Sequence, residues 1–169
     1  MIRKAGQEDA LAIAQVHVNS WKSTYKGLIS DAYLDSLSVE SFERFWADQL
    51  ETSSFSPYVA ETGSGIVGFV QGGPLRAKDY RYQGEIYSLY LLKSHQRKGL
   101  GKQLVQAVME DLLSDGISSF LVWVLADNPS CGFYEKLGGK KIGTKQVQIG
   151  GNTLQEVAYG WKGPDSFTP

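Results

Sequence analysis

The sequence lacks most of what would build a metal, membrane or nucleic-acid protein. One cysteine among 169 residues allows no internal disulfide, which suits a reducing cytoplasm. Two histidines beside it give no metal-ligand spacing. No apolar run approaches the ~18 residues of a membrane span. The first residues, Met1 to Gln7, carry no apolar core of a secretory signal, and the expected location is the cytoplasm. Runs of like charge and basic tails are missing. With a formal net charge of −1 there is no electrostatic case for nucleic-acid binding. Repeats, low-complexity stretches and interior linkers are absent too.

What is present is globular. The length suffices for one domain with a core and is short for two. Residues 1–162 are expected to form that domain, and 163–169 a frayed tail. Ile2 to Lys4 reads as a short strand. Gly6-Gln7-Glu8-Asp9 opens a helix whose first turn carries acids, where the helix dipole favours them. Asp31 to Leu37 is a short helical segment, and Ser38 opens another helix bearing Phe42, Phe45, Trp46 and Leu50 on one face. Pro57–Thr62 and Ile66–Gly72 form a hairpin across Gly63-Ser64-Gly65, and Leu75 to Gln83 reads as an exposed loop. Ser119–Leu125 is a buried strand. Lys140–Ile149 and Thr153–Trp161 close the chain as two strands. The order β-α-α-β-β-β-α-β-α-β-β predicts an α/β fold, one mixed sheet with helices on its faces.

The chemistry concentrates between Glu85 and Lys102. Glu85 to Leu92 is β-branched, aromatic and aliphatic, a strand. A basic stretch with Gly99 and Gly101 follows. Then Leu100, Leu104, Val105, Val108 and Leu112 recur with the period of a helix. A strand therefore feeds a glycine loop that opens a helix. Free N–H groups and the dipole at such a start favour an anion, glycines let it approach, and Arg97, Lys98 and Lys102 add charge. This is a phosphate or pyrophosphate cradle. The spacing of a P-loop is absent, and the dinucleotide fingerprint lacks its third glycine, residue 104 being Leu.

Gln96-Arg97-Lys98-Gly99-Leu100-Gly101 resembles the Gln/Arg-x-x-Gly-x-Gly/Ala motif of GCN5-related N-acetyltransferases. Asn128-Pro129-Ser130-Cys131-Gly132-Phe133-Tyr134-Glu135-Lys136-Leu137-Gly138 resembles that family's Asn-x-x-x-x-Phe-Tyr-Glu-Lys-Leu-Gly segment, in the right order after one strand. One position departs: the family often has Phe after Leu-Gly, where this chain has Gly139. The resemblance implies a mostly antiparallel sheet of about seven strands, splayed at its centre. It also implies acetyl-coenzyme A lying in the gap. Leu89, Tyr90 and Leu91 would pair with the pantetheine arm, and the Leu91 N–H would polarise the thioester carbonyl. Gln96 through Lys102 would hold the pyrophosphate. Asn128 would hydrogen-bond the pantetheine. Tyr134 would protonate the departing thiolate, a phenol pKa of about 10 keeping it protonated at neutral pH.

An acceptor amine is mostly protonated at neutral pH, so a base or proton wire helps. Glu85 is the first candidate, acting through water, against a solvated strand-end carboxylate; Glu61 is a weaker one. Trp21 and Tyr25, one helical turn apart, form an acceptor wall or a packing pair, and Tyr87 alternates with Leu89 toward the same cleft. Tyr134 as a core aromatic is the bland alternative to its acid role. Cys131, which invites an acetyl-cysteine, reads instead as a small buried residue, and His17 as packing. The expected activity is acetyl transfer to a primary amine, most simply of a small molecule. Alternatives are a non-catalytic acyl-coenzyme A sensor, a protein N-terminal or lysine acetyltransferase, and a nucleotide-phosphate enzyme. The terminal hairpin, Gly143 to Trp161, offers pairing for a homodimer.

Overall fold

The computed structural model describes residues 1–76 and 80–168. The chain runs β1 (Ile2–Lys4), α1 (Ala10–Thr24), α2 (Asp31–Asp35), α3 (Val39–Thr52), β2 (Tyr58–Thr62), β3 (Gly65–Pro74) and β4 (Gly84–Leu91). It continues through α4 (Leu100–Ser114), β5 (Phe120–Leu125), α5 (Ser130–Lys136), β6 (Lys140–Ile149) and β7 (Asn152–Trp161). Seven strands make one sheet in the order β1-β2-β3-β4-β5-β7-β6. Its one parallel pair among the described residues is β4–β5.

Strand alternation sends neighbouring residues to opposite faces. Val70 packs under Leu104, Val105 and Val108 of α4, while the adjacent Phe69 packs with Ile13 of α1 and Trp46 of α3. The stripe read along 104–112 is therefore the buried face of α4. Local chemistry starts the helices. The Asp9 carboxylate accepts the Gly6 N–H at 2.8 Å and pairs with Arg3 at 2.7 Å, before α1. The Ser30 and Ser38 hydroxyls accept the N–H groups of Tyr33 and Ser41, capping α2 and α3.

Three local expectations change. The loop 75–83, expected to be exposed, is so at Arg76, Arg81 and Gln83, but Leu75, Tyr80 and Tyr82 are half-buried; residues 77–79 lie outside the described residues. Tyr80 stands edge-on to Trp123 at 5.5 Å, and Arg76 reaches Glu85. Residues 163–168 are not frayed: Phe167 packs on the core and the Thr168 N–H donates to the Leu137 carbonyl at 2.8 Å. Gly139 does not loosen the packing after α5. A Cβ there would lie 2.7 Å from the Trp161 ring, so the indole takes the space that a side chain would need.

Candidate active site

The sheet opens between β4 and β5. These strands pair only over Gly84–Ile86, opposite Phe120–Val122, although β4 continues to Leu91. The next residue, Tyr87, is an extra residue on β4: Gln71 of β3 pairs with Ser88 and Gly72 with Ile86. A bulge bends and twists its strand, and this one stands where β5 pairing stops. The Leu92 N–H is spent on the Val67 carbonyl of the neighbouring β3 side. Antiparallel alternation then directs Tyr90 to β3 and turns the N–H groups of Leu89 and Leu91 toward the gap.

A cleft of about 1030 Å³ fills this opening. Leu89, Tyr90 and Leu91 line one wall, with Glu85 and Tyr87 further back on β4. Gln96, Arg97, Gly99, Gly101 and Lys102 form the mouth, Asn128 and Tyr134 the far side, and Trp21 and Tyr25 come from α1. Lys98 and Leu100 do not line it, and Glu61 is held at the sheet edge by Arg3 at 2.8 Å. The remaining candidates, scattered from residue 21 to residue 134, thus meet in one place.

The loop is built to present backbone. Arg97 (φ 62°) and Gly99 (φ 84°) are both left-handed, a turn type that makes anion-binding concavities. A Cβ on Gly99 would meet nothing closer than 3.9 Å, whereas one on Gly101 would press on Leu91 at 3.2 Å and Phe133 at 3.3 Å. Gly99 thus serves the turn, and Gly101 the close approach of α4 to β4. Gln96 ties the loop to the strand, its Nε2 donating to the Leu91 carbonyl at 3.1 Å. Exposed backbone at the mouth and free strand edges along the gap fit a long ligand with a pyrophosphate at one end. On the far side, Asn128 Oδ1 accepts the Ser130 N–H at 2.9 Å, leaving its amide N–H groups to donate.

Burial tunes the phenols. Tyr134 is only 4% exposed, and desolvation pushes its phenol above the ordinary value, so it stays protonated well past neutral pH. Burial raises Tyr25 as well, and its hydroxyl lies 3.3 Å from that of Tyr90. Cys131 is no nucleophile: its thiol donates toward the Leu125 and Ala126 carbonyls, and burial raises its pKa. His17 accepts the Trp46 indole N–H at Nδ1 and stacks on Tyr90, a packing role.

Among the cleft residues that escape sequence reasoning are Arg76, Trp123, Lys145 and Glu156. Arg76 closes on Glu85 with Nη2 at 2.6 Å and lies 4.3 Å over the Tyr87 ring. Lys145 lies 4.2 Å over the Trp123 ring. Alternation along β7 puts Glu156 on the face opposite Val157 and Tyr159. That this face borders the cleft depends on β7 lying beside β5, which no local pattern reveals.

A parted parallel pair with a glycine loop at its mouth suits coenzyme A, and the chain's relatives are N-acetyltransferases. The chain belongs to the GCN5-related N-acetyltransferase family, whose cosubstrate is acetyl-coenzyme A. The FR47-like protein family matches residues 66–148, from β3 through β6. The uncharacterized N-acetyltransferase YuaI of Bacillus subtilis is 40% identical over 95% of this chain and 91% of its own length. The spermidine N(1)-acetyltransferase of Thermoplasma acidophilum is 28% identical over 82% of this chain and 87% of its own. The structure of PaiA N-acetyltransferase from T. acidophilum, in complex with coenzyme A, superimposes with a TM-score of 0.73. It is 25% identical, covering 92% of this chain and 96% of that one.

Proposed function

We propose that the protein transfers acetyl from acetyl-coenzyme A to the primary amine of a small molecule, by direct attack within one cleft. The observation that carries this is the opening of β4 from β5 beside the glycine loop. The 96–102 loop would hold the pyrophosphate on its backbone, with Arg97 and Lys102 adding charge. The Leu89 and Leu91 N–H groups would meet pantetheine and thioester oxygens, and Asn128 would donate from the opposite wall. The thioester supplies the activated acyl group. A backbone donor fixed before reaction, as Leu91 is, costs no reorganisation when charge develops on that oxygen. Tyr134, protonated and buried, is the acid for the leaving sulfur.

The acceptor would enter from the opposite face, past Trp21, Tyr25 and Tyr87. Glu85 there is paired with Arg76, and Glu156, on which no donor closes among the described residues, would attract an ammonium. A polyamine fits this charge, in keeping with the relative named for spermidine. The lone thiol suits the cytoplasm, the compartment we propose. The domain would span residues 1–162, the docked terminal residues serving as its edge. A homodimer would pair through the outer edge of β6, none of whose residues is buried. Sedimentation at two concentrations tests that assembly, and a concentration-independent monomer rejects it.

Calorimetric titration with acetyl-coenzyme A tests the central reading, beside Gly99→Asp, which adds a negative charge where a side chain has room. Parent binding that is lost in the folded variant supports the loop as the pyrophosphate site. Failure of the folded parent to bind rejects it. A thiol-release screen over primary amines, spermidine included, then separates transfer from mere binding.

A further inference from the structure

The cleft holds two carboxylates in different surroundings. Glu85 is spoken for. Its Oε1 accepts the Arg76 backbone N–H at 3.2 Å and Nε at 3.3 Å, and its Oε2 accepts Nη2 at 2.6 Å. Its side chain is 3% exposed. Arg76 is itself pinned over Tyr87, whose hydroxyl donates to the Pro74 carbonyl. A carboxylate already accepting three bonds from one arginine has little room to receive an ammonium proton.

Glu156 is different. It stands on β7 opposite Leu125 of β5 and Lys145 of β6, half-buried in the cleft wall. Among the described residues no donor holds its carboxylate. The groups facing it are Lys145, Glu85, Arg76 and, from α1, Tyr25. The Lys145 ammonium, the nearest candidate partner in register, leans over the Trp123 ring instead of closing a bond on Glu156. Burial raises the Glu156 carboxyl, Glu85 raises it further, and the two cations only oppose this. One carboxylate locked in an ion pair and one on which no donor closes divide into a structural group and a proton acceptor.

We propose that Glu156, and not Glu85, receives the proton that the acceptor ammonium loses before attack. This rests on the amine-transfer reading above. The ammonium gives one proton to the Glu156 carboxylate, and the nitrogen keeps the electron pair. That pair forms the C–N bond to the acyl carbon. The C–S pair leaves on sulfur, which takes the Tyr134 proton; one of the two protons left on nitrogen passes through water to the Tyr134 oxygen, the other stays as the amide N–H, and Glu156 returns its proton to solvent. Glu85, locked to Arg76, is a positioning residue: it fixes the cleft wall and its charge makes Glu156 a better proton acceptor.

The test compares the parent, Glu156→Gln and Glu85→Gln with acetyl-coenzyme A and spermidine, or whichever panel amine the parent turns over fastest. The parent kcat/KM for the amine should fall on the acid side with the titration of one carboxyl. Glu156→Gln should bind acetyl-coenzyme A normally, lose ~10²-fold in kcat at neutral pH, and recover as rising pH supplies free amine. Glu85→Gln should keep the acid limb but move it to lower pH, because its charge no longer raises the Glu156 carboxyl. Carbon-13 titration of the Glu156 carboxyl, assigned by the Gln variant, should lie above the ordinary glutamate value without any turnover. Full kcat and an unchanged acid limb in Glu156→Gln would overturn the inference while the transfer reading stands. So would a Glu156 carboxyl titrating at or below the ordinary value. A parent that binds acetyl-coenzyme A yet acetylates no amine overturns the transfer reading itself.

Discussion

Replacing Tyr134 by Phe should separate the chemistry of this cleft from its architecture. The ring is 4% exposed and sits among Phe133, Tyr159 and Trp161, with centroids 5.2, 6.2 and 6.3 Å away. Phe keeps that apolar contact and deletes one oxygen, so stability should change by no more than ~1 kcal/mol. Tyr134→Ala would instead leave a cavity and cost about 3–5 kcal/mol, confounding any rate measurement. If the phenol protonates the leaving sulfur, its loss should lower the chemical step by 10²-fold or more, about 3 kcal/mol of barrier. Acetyl-coenzyme A affinity should hold, since no cofactor-binding contact is assigned to the hydroxyl alone. Because burial holds the phenol above its ordinary pKa, the parent rate should show no alkaline loss from this group below about pH 9. The assay is single-turnover thiol release, which slow product release cannot mask, beside urea unfolding and calorimetry. A Tyr134→Phe protein that keeps the parental single-turnover rate would refute the acid role and leave Tyr134 a core aromatic.

Other perturbations probe the frame. Burial lowers the His17 pKa to about 4, so folding favours the neutral ring. Its contribution is complete above the unfolded value near 6.5 and is lost as pH falls from there through about 4, roughly 3 kcal/mol in all. His17→Gln, which keeps an acceptor for Trp46, should flatten that part of the urea-midpoint profile. Gly139→Phe should destabilise by about 1–3 kcal/mol by overpacking against Trp161. Shrinking the indole in Gly139→Phe/Trp161→Leu should return part of that loss, giving a coupling that a double-mutant cycle measures. Gly99→Ala should cost about 1 kcal/mol, because φ is 84° there and the space is open; an unchanged urea midpoint would deny the strained turn.

The half of the cleft proposed to hold coenzyme A was legible as a candidate because it is local. Gln96 to Lys102 and Asn128 to Tyr134 are contiguous segments whose spacing carries the signal, and the α4 stripe is a periodicity within fifteen residues. The acceptor half is a product of strand order. Glu156 reaches the cleft only because β7 inserts between β5 and β6, and Lys145 only because the final hairpin aligns it with Glu156. Arg76 lay in a stretch of charged and aromatic residues that reads as a solvated loop. What folds it back is the partner it finds, the buried carboxylate of Glu85. Gly139 looked like a lost packing residue because the ring that fills its place comes from Trp161, at the far end of the chain's last strand.

The opening and the cradle have a common origin in connectivity. A parallel pair needs a crossover, and here the crossover is α4, which must begin where β4 ends. The glycine loop is therefore carried to the end of β4 at which the sheet parts. There the bulge at Tyr87 has already swung the strand from β5, leaving the Leu89 and Leu91 N–H groups without a strand to meet. Closing the gap would bring those N–H groups against β5 and fill the cleft between the strands. The proposed phosphate cradle and oxyanion donor thus lie together at one end of one strand. The proposed acceptor wall shares Tyr87 with that irregularity, while Trp21 comes from α1 and Glu156 from β7, outside the crossover. Substitutions at Trp21, Tyr25 or Glu156 can then alter which amine is taken while the coenzyme half keeps its shape.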